Sequence, residues 1–198
     1  MTRIEQEAAR MGVLVEDLLT LARLDELPDI EPVPVDLAVL ARDAVDDARA
    51  TAPDRTIDVD APTGSVVAGD PHQLRQIFSN LLRNALVHTP AGSAIDVRVA
   101  DTGAGEVLLT VRDHGRGLPD GEADAIFERF WRAEGGRERG AGGAGLGLAI
   151  VAGIVGAHGG QVAAANHPDG GAVFTVRLPR QARPVPAVPA TTAPSATS

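Results

Sequence analysis

Four polar side chains recur at four-residue steps near the middle of the chain, where they would share one ridge of a helix. They are Gln76, Asn80, Asn84 and His88. The chain has only three asparagines, and two of them lie in this ridge. An Asn side chain offers a hard carbonyl oxygen, which suits Mg²⁺, and two N–H donors, which suit phosphate oxygens. Solvated or helix-capping amides are the alternative interpretation.

A second candidate for ligand binding is the segment Asp113–Gly117 (DHGRG), which ends a strand-like run. A carboxylate at the end of a strand can accept a hydrogen bond from an exocyclic amine, and the two alternate glycines would let a flat ring approach the backbone. The pattern by itself is equally compatible with a hairpin turn.

A glycine-rich segment, Gly140–Leu148, precedes an apolar helix. Backbone N–H groups at a helix N-terminus can bind an anion, and a mobile segment of this kind can close over a nucleotide. The glycine spacing formally matches a dinucleotide-binding motif. We reject that match because the motif needs a preceding strand, whereas residues Arg132–Arg139 are polar. A flexible loop before a helix is the alternative.

Most of the few aromatic residues lie between these two segments, within Ile126–Arg132. They are Phe127, Phe130 and Trp131. The cluster predicts either a hydrophobic latch beside the glycine-rich segment or an ordinary turn of the core, and the residues alone favour neither.

Composition excludes several classes of function. The 198 residues carry a net charge of −9, no cysteine and, among 18 basic residues, no lysine. Thiolate metal sites, P-loop lysines and Schiff-base lysines are therefore excluded, and no basic patch for nucleic acid is evident. We see no signal peptide and no apolar run of the roughly 18 residues that a membrane span needs. We expect a soluble, cytoplasmic chain without a membrane segment.

The polar ridge needs a helix to carry it, and the sequence predicts one. Asp70 suits an N-cap, Pro71 the first helical position, and Gln73 the partner position of a capping box. The apolar positions repeat with the period of a helix and predict its buried face. They are Leu74, Ile77, Phe78, Leu81, Leu82 and Ala85.

Residues Met1–Glu26 predict a long helix with a narrow apolar seam. The seam consists of Ile4, Ala8, Met11, Val15, Leu18 and Ala22, widened by Leu14 and Leu21. A seam this narrow favours a partner helix from another chain. Packing of the helix on its own domain is the alternative.

The other elements predict an α+β fold, a two-layer sandwich in which a mixed, mainly antiparallel sheet packs on three helices behind one long coiled-coil-type helix. A helix follows Asp36, and another covers Leu146–His158. The predicted strands are Thr56–Val59, Ser65–Ala68, Ala94–Ala100, Glu106–Arg112, Gln161–Asn166 and Ala172–Leu178. We expect four parts: a helix (1–27), a proline-marked linker (28–35), the main domain (36–179) and a disordered tail (180–198).

Together these motifs resemble the catalytic, ATP-binding domain of bacterial sensor histidine kinases, whose superfamily includes DNA gyrase, the MutL repair proteins and the ninety-kilodalton heat-shock chaperones. Four segments match the family in order and spacing over about Asp36–Pro179. Asn80–Ala85 resembles the N box, Asp113–Gly117 the G1 box, Phe127–Phe130 the F box and Gly143–Ile150 the G2 box. The first helix is similar to the second helix of the dimerisation and phosphotransfer bundle.

The resemblance implies ATP and Mg²⁺ as ligands. Asn84 would coordinate Mg²⁺ with support from Asn80, and Asp113 would accept from the adenine amine. Arg132 would reach the γ-phosphate, and a lid of about 133–143 would cover the phosphates. The implied nucleotide-binding set is Asn80, Asn84, His88, Asp113, Gly115, Gly117, Gly143, Gly145, Leu146 and Gly147, with Asn84 and Arg132 as catalytic residues.

The chain departs from the family in two places. A lysine and a tyrosine often follow the N box, and this chain has Val87 and His88 at those positions. His88 would replace the tyrosine, and Arg83 or Arg132 would supply the positive charge that the missing lysine provides. The phosphoacceptor of the family is a histidine followed by an acidic residue, and no histidine of this chain is followed by Asp or Glu. We therefore expect ATP binding without ordinary autophosphorylation.

The leading hypothesis is the ATP-binding catalytic part of a two-component histidine kinase. It would transfer the γ-phosphate to a histidine on a partner's dimerisation bundle, for relay to a response regulator, and would form a homodimer through the N-terminal helix. The alternative is a non-catalytic nucleotide-binding or dimerisation module that regulates a full-length kinase. A serine kinase of the anti-sigma type is a third and weaker hypothesis, because the F box and the first helix argue against it.

Overall fold

The computed structural model describes residues 3–25, 32–132 and 144–181. The predicted lid of about 133–143, including Gly143, lies outside the described residues, as does the tail from residue 182 onward.

The main sheet has five strands in the order β2–β4–β5–β7–β6. Their bounds are Ile57–Asp60 (β2), Ile95–Asp101 (β4), Glu106–Asp113 (β5), Gln161–Asn166 (β6) and Ala172–Pro179 (β7). β2 pairs with β4 in parallel, and the other neighbours are antiparallel. Alternate residues of the three central strands are buried on one face, as one-sided packing requires. The predicted mixed, mainly antiparallel sheet is confirmed.

Three helices cover that buried face: α2 (Leu37–Thr51), α3 (Pro71–His88) and α4 (Gly147–Ala157). α3 lies between the other two and contacts both. All six apolar residues predicted for its inner face are buried, which confirms the two-layer sandwich and leaves the polar ridge of α3 at the edge of the core.

The predicted linker is partly wrong, because Val33–Asp36 form a strand, β1. β1 pairs antiparallel with β3 (Val66–Gly69) in a separate two-stranded sheet. A proline can occupy such a strand, since one side of each strand in a two-stranded sheet needs no ladder hydrogen bond. Pro34 thus suggested a break where a short strand exists.

The predicted start of the tail is also displaced. Arg180 donates its backbone N–H to the carbonyl of Gly105 (2.8 Å), and Gln181 donates to Val66 (3.0 Å). Arg180 extends the pairing of β7 with β5, whereas Gln181 bonds to β3 of the second sheet. The boundary after Pro179 was therefore placed too early.

The N-terminal helix α1 (Arg3–Asp25) packs against α4, as the alternative interpretation had it. Leu21 is buried, and Leu24 lies against Gly153 at the middle of α4. Other residues of the seam remain exposed, including Met11, Val15 and Leu18. One face of α1 therefore binds its own domain, and a second apolar face is open.

The start of α3 matches its prediction in one respect and differs in another. Asp70 caps the helix, because its Oδ1 accepts from the backbone N–H of His72 at 2.8 Å. The predicted capping box with Gln73 is wrong: the backbone N–H of Asp70 donates to Nε2 of His158, at 3.2 Å. Nδ1 of His158 lies 2.8 Å from the carbonyl of Ile154, so that nitrogen carries the proton and Nε2 is free to accept.

Within residues 3–25, 32–132 and 144–181, no helix combines the length and apolar character of a membrane span.

Candidate functional site

Asp113 is held in one orientation at the end of β5. The residue is only 5% exposed, and its Oδ1 accepts hydrogen bonds from the backbone N–H groups of Gly115 (2.9 Å) and Ala172 (3.3 Å). These two donors fix the carboxylate across the start of the turn. Its second oxygen remains the one through which a ligand amine could be recognised.

The glycines after Asp113 are required by close packing. A Cβ at Gly115 would lie 2.7 Å from Cγ2 of Thr89, just past the end of α3. Gly117 has a φ of +81°, and a Cβ there would collide with Oδ1 of Asn166. The turn therefore passes tightly between the end of α3 and the end of β6, which fixes the position of this candidate ring-binding segment.

Asn166 is a site-building residue that the sequence analysis did not single out. Its Oδ1 accepts from the backbone N–H of Leu118 at 2.6 Å, and its Nδ2 donates to the Leu118 carbonyl at 3.0 Å. One amide thus clamps both backbone groups of the residue that follows Gly117. The available signal was its rarity, since Asn166 is the third asparagine of the chain.

The polar ridge of α3 presents an unsatisfied donor. Asn80 is 5% exposed, and its Oδ1 accepts from Nη2 of Arg83 at 2.9 Å. Its Nδ2 is buried without a hydrogen-bond partner among the described residues. A buried N–H without an acceptor costs free energy, so the arrangement favours a ligand oxygen at this point. Asn84 is half-buried one turn farther along, and His88 is exposed at the helix end.

The start of α4 meets this ridge. A Cβ at Gly147 would lie 3.2 Å from Nη2 of Arg83 and 3.5 Å from Oδ1 of Asn80. The buried side chain of Leu146 anchors the chain just before α4. The first N–H groups of any α-helix lack intrahelical acceptors, so the structure brings the predicted anion site and the predicted amide ridge together.

The aromatic segment supports the glycine turn through its backbone. The N–H of Phe130 donates to the Gly145 carbonyl at 3.0 Å, and a Cβ at Gly145 (φ +76°) would lie 2.6 Å from the carbonyl oxygen of Trp131. Ile126, in a 3₁₀ turn at Ala125–Phe127, is buried, whereas Phe130 is 61% exposed with a φ of +65°. The segment is thus anchored in the core at one end and open at the other.

Two titratable groups near the site have displaced pKa values. Desolvation by the surrounding protein lowers the pKa of His88, although the residue is partly exposed; Asp113 raises the pKa and Arg132 lowers it. Burial raises the pKa of Asp17 on α1, while Arg83 lowers it and Glu16 raises it.

The geometry assembles most of the predicted site residues. Asn80, Arg83 and Gly147 meet at one end, while Asp113 and Gly115 lie at the other, beside Thr89, which directly follows His88. Asn84 occupies the ridge between the two ends. Gly143 lies outside the described residues.

Comparison with known proteins identifies the family of the chain. Residues 69–182 match the family described as histidine kinase-, DNA gyrase B-, and HSP90-like ATPase. The chain is 46% identical over 180 residues to the probable sensor histidine kinase TcrY of Mycobacterium tuberculosis, covering 90% of this chain and 38% of TcrY.

Solved structures give the same result. The ATP-binding domain of PrrB from Mycobacterium tuberculosis is 34% identical with a TM-score of 0.63, covering 77% of this chain and 100% of that one. Full-length ShkA in complex with AMPPNP is 28% identical with a TM-score of 0.71, covering 90% of this chain and 38% of ShkA. The chain spans 38% of the length of TcrY and a similar share of other curated relatives. It belongs to the family of histidine kinase-, DNA gyrase B- and HSP90-like ATPases, and its relatives in that family are sensor histidine kinases.

Proposed function

We propose that this chain is the ATP-binding catalytic part of a two-component sensor histidine kinase. It transfers the γ-phosphate of ATP to a histidine on a dimerisation bundle outside these 198 residues, for relay to a response regulator. The observation that carries the proposal is that α3 meets both candidate segments. Asn80 lies beside the start of α4, and Thr89, directly after His88, lies beside Gly115. Asn80 and His88 are eight residues apart, or roughly 12 Å along a helix, enough to lie beside an extended nucleotide.

Adenine recognition is assigned to Asp113 and the turn after it. The carboxylate accepts from the exocyclic amine, since two backbone N–H groups already orient it. Gly115 and Gly117 let the turn pack closely against Thr89 and Asn166, which sets the backbone along which the ring would lie. His88 contributes a neutral ring at the rim, in keeping with its lowered pKa.

We assign binding of the ATP phosphates to the junction of α3 and α4. Backbone N–H groups of Gly143, Gly145, Leu146 and Gly147 bind phosphate oxygens, and the unpartnered Nδ2 of Asn80 donates a hydrogen bond to one of them. Arg132 approaches the γ-phosphate. In phosphoryl transfer the protein contributes mainly positioning and charge neutralisation, which these groups supply.

Mg²⁺ fits the donors on this ridge. The ion keeps several waters and substrate phosphates as ligands and needs only one or two protein oxygens. Oδ1 of Asn84, half-buried between Asn80 and His88, would provide one, and Asn80 would support the waters or the phosphates. When bound, the ion would neutralise charge on the phosphates.

The expected partners follow from the same proposal. The exposed apolar face of α1 (Met11, Val15, Leu18 and Leu19) pairs with a second copy of this chain in a homodimer. The acceptor histidine is supplied by the bundle of a kinase, and the phosphoryl group passes from there to the response regulator. We place the chain in the cytoplasm, where ATP is available.

A non-catalytic, regulatory nucleotide-binding module is the second candidate. In such a module the residues of α3 and α4 bind ATP, and no phosphoryl group is passed on. Incubation with γ-labelled ATP and a separately purified, histidine-bearing bundle distinguishes the two. Label on the bundle supports the kinase, whereas tight ATP binding without transfer supports the regulatory module.

Titration calorimetry with ATP, with and without Mg²⁺, tests the nucleotide site. We expect Asp113→Asn to weaken binding roughly 10- to 100-fold, because a charged hydrogen-bond acceptor is lost. Asn84→Ala should mainly reduce the increase in ATP affinity that Mg²⁺ provides. Its effect on ATP affinity without Mg²⁺ should be smaller.

Asp60→Asn is the matched control, since it neutralises an exposed carboxylate that pairs with Arg98 on the edge strand β2, and it should leave ATP affinity unchanged. A wild-type chain that binds no adenine nucleotide would contradict the proposal at its centre.

A further inference from the structure

Arg83 lies where three helices meet. Its Nη2 donates to Oδ1 of Asn80 on α3 at 2.9 Å and lies 3.7 Å from Oδ2 of Asp17 on α1. The same nitrogen is 3.2 Å from the Cβ position of Gly147, the first residue of α4. One guanidinium group therefore contacts both the N-terminal helix and the candidate phosphate site.

Asp17 depends on this arginine. The residue is only 7% exposed, and its distance of 3.7 Å from Arg83 is that of an ion pair without a hydrogen bond. Burial raises the pKa of Asp17 despite the opposing effect of Arg83. Arg83 thus offsets only part of the cost of burying this carboxylate, and removing a partner from a buried ion pair is strongly destabilising.

Two observations at the other side of Arg83 point to an anion. The Nδ2 of Asn80 is buried and unpartnered among the described residues, and the N-terminus of α4 begins beside it. A phosphate group is a stronger acceptor for guanidinium than a carboxylate held beyond hydrogen-bond distance, because it can accept two parallel N–H bonds.

We propose that Arg83 is a phosphate-binding residue that Asp17 and the nucleotide share, so that nucleotide binding and the docking of α1 on its own domain oppose each other. The inference rests on the proposed function and adds to it a ligand residue and a link to α1. When the phosphates engage Arg83, Asp17 loses its counter-charge and the contact of α1 weakens. By thermodynamic reciprocity, the docked α1 lowers affinity for the nucleotide by the same factor.

The test measures the affinity of the full chain for AMP-PNP with Mg²⁺, and for adenosine, by calorimetry. Asp17→Asn should tighten AMP-PNP binding roughly fivefold and leave adenosine binding unchanged, because only the phosphates reach Arg83. Arg83→Gln should weaken AMP-PNP binding. In the double variant, Asp17→Asn should not restore the affinity for AMP-PNP that Arg83→Gln removes.

Glu16→Gln is the matched control, because it removes the same charge from the neighbouring, exposed position of α1. Three results would each overturn the proposal. They are an equal gain of AMP-PNP affinity in Glu16→Gln, no gain of affinity in Asp17→Asn, and a gain from Asp17→Asn that persists when Arg83 is replaced by Gln. If the wild type binds adenosine and AMP-PNP while one of these results appears, only this inference fails. If the wild type binds neither, the proposed function fails as well.

Hydrogen exchange of the wild-type chain supplies a readout that needs no variant. Amides around Asp17 should exchange faster when AMP-PNP and Mg²⁺ saturate the site, and should not respond to adenosine. Unchanged or slower exchange with AMP-PNP would overturn the proposal, even if Asp17→Asn failed to fold.

Discussion

At the scale of single residues, two nearby glycines allow the effect of backbone strain to be measured apart from the effect of crowding. Gly117 and Gly121 have nearly equal φ values, +81° and +78°. A Cβ at Gly117 would collide with Oδ1 of Asn166, whereas a Cβ at Gly121 would meet nothing within 4 Å. The pair therefore provides a substitution and its own control.

We predict that Gly121→Ala costs about 1 kcal/mol of folding stability from left-handed backbone strain and leaves ATP affinity intact. Gly117→Ala should cost more, and it should also weaken ATP binding, because it displaces the amide that clamps Leu118. Urea unfolding and calorimetry measure the two effects. Equal ATP affinities in the two variants would contradict the role given to Asn166.

The lowered pKa of His88 predicts a pH dependence. The cause is desolvation of the ring, which Asp113 opposes and Arg132 reinforces. Because the folded-state pKa lies below the unfolded value, His88 protonates first in the unfolded chain as the pH falls. Its contribution to stability is therefore complete above the ordinary pKa of about 6.5 and is lost as the pH falls through the folded-state value.

We expect the wild type to lose more stability than His88→Gln when the pH is lowered from 8 to the range below 6.5. The difference between their unfolding free energies, measured in urea at both pH values, isolates this residue from other titrating groups. A difference that does not change with pH would argue against a neutral His88 in the folded chain.

At the scale of secondary structure, the start of α3 depends on another helix. Asp70 supplies the local N-cap, but its own N–H is satisfied by His158, beyond the end of α4. The ring also fills the space beside Gly69, where a Cβ would meet it. This contact holds together the two helices that carry the candidate phosphate site.

We predict that His158→Ala lowers stability by about 2 kcal/mol, because the Asp70 N–H loses its acceptor and a ring leaves a packed contact. His72→Ala, at an exposed position of the same first turn, should change stability by less than about 0.5 kcal/mol. Thermal or urea unfolding compares them. Similar losses in both would indicate that His158 is not a structural acceptor.

At the scale of the whole molecule, α1 has two apolar faces with different surroundings. Leu21 and Leu24 pack on the domain, while Leu18 and Val15 remain exposed. An exposed apolar face of this kind on a helix is typical of an interface between chains.

We predict that Leu18→Glu reduces self-association while leaving ATP affinity unchanged, since the residue lies on the open face. Glu16→Arg changes a charge at an exposed position of the same helix and serves as the control. Light scattering coupled to gel filtration gives the mass of each. A dimer that survives Leu18→Glu would show that another surface holds the copies together.

Much of the fold could be predicted because helices and strands are encoded by local periodicity. The six apolar residues predicted for the inner face of α3 are all buried, and the strand at Gln161–Asn166 has the predicted bounds. Errors arose where a local signal was ambiguous: Pro34 concealed a strand, and Gln73 suggested a capping box that His158 replaces.

The sequence by itself determined which segments could bind a nucleotide, because capping residues, glycines and amide spacing act over a few neighbouring positions. Only the tertiary structure decided that Asn80 and Arg83 meet Gly147, and that Asn166 clamps Leu118 from 48 residues away. Such contacts depend on strand order and helix packing, which no short stretch of sequence encodes. The same holds for Asp17, whose burial against Arg83 becomes visible only when α1 is placed on the domain.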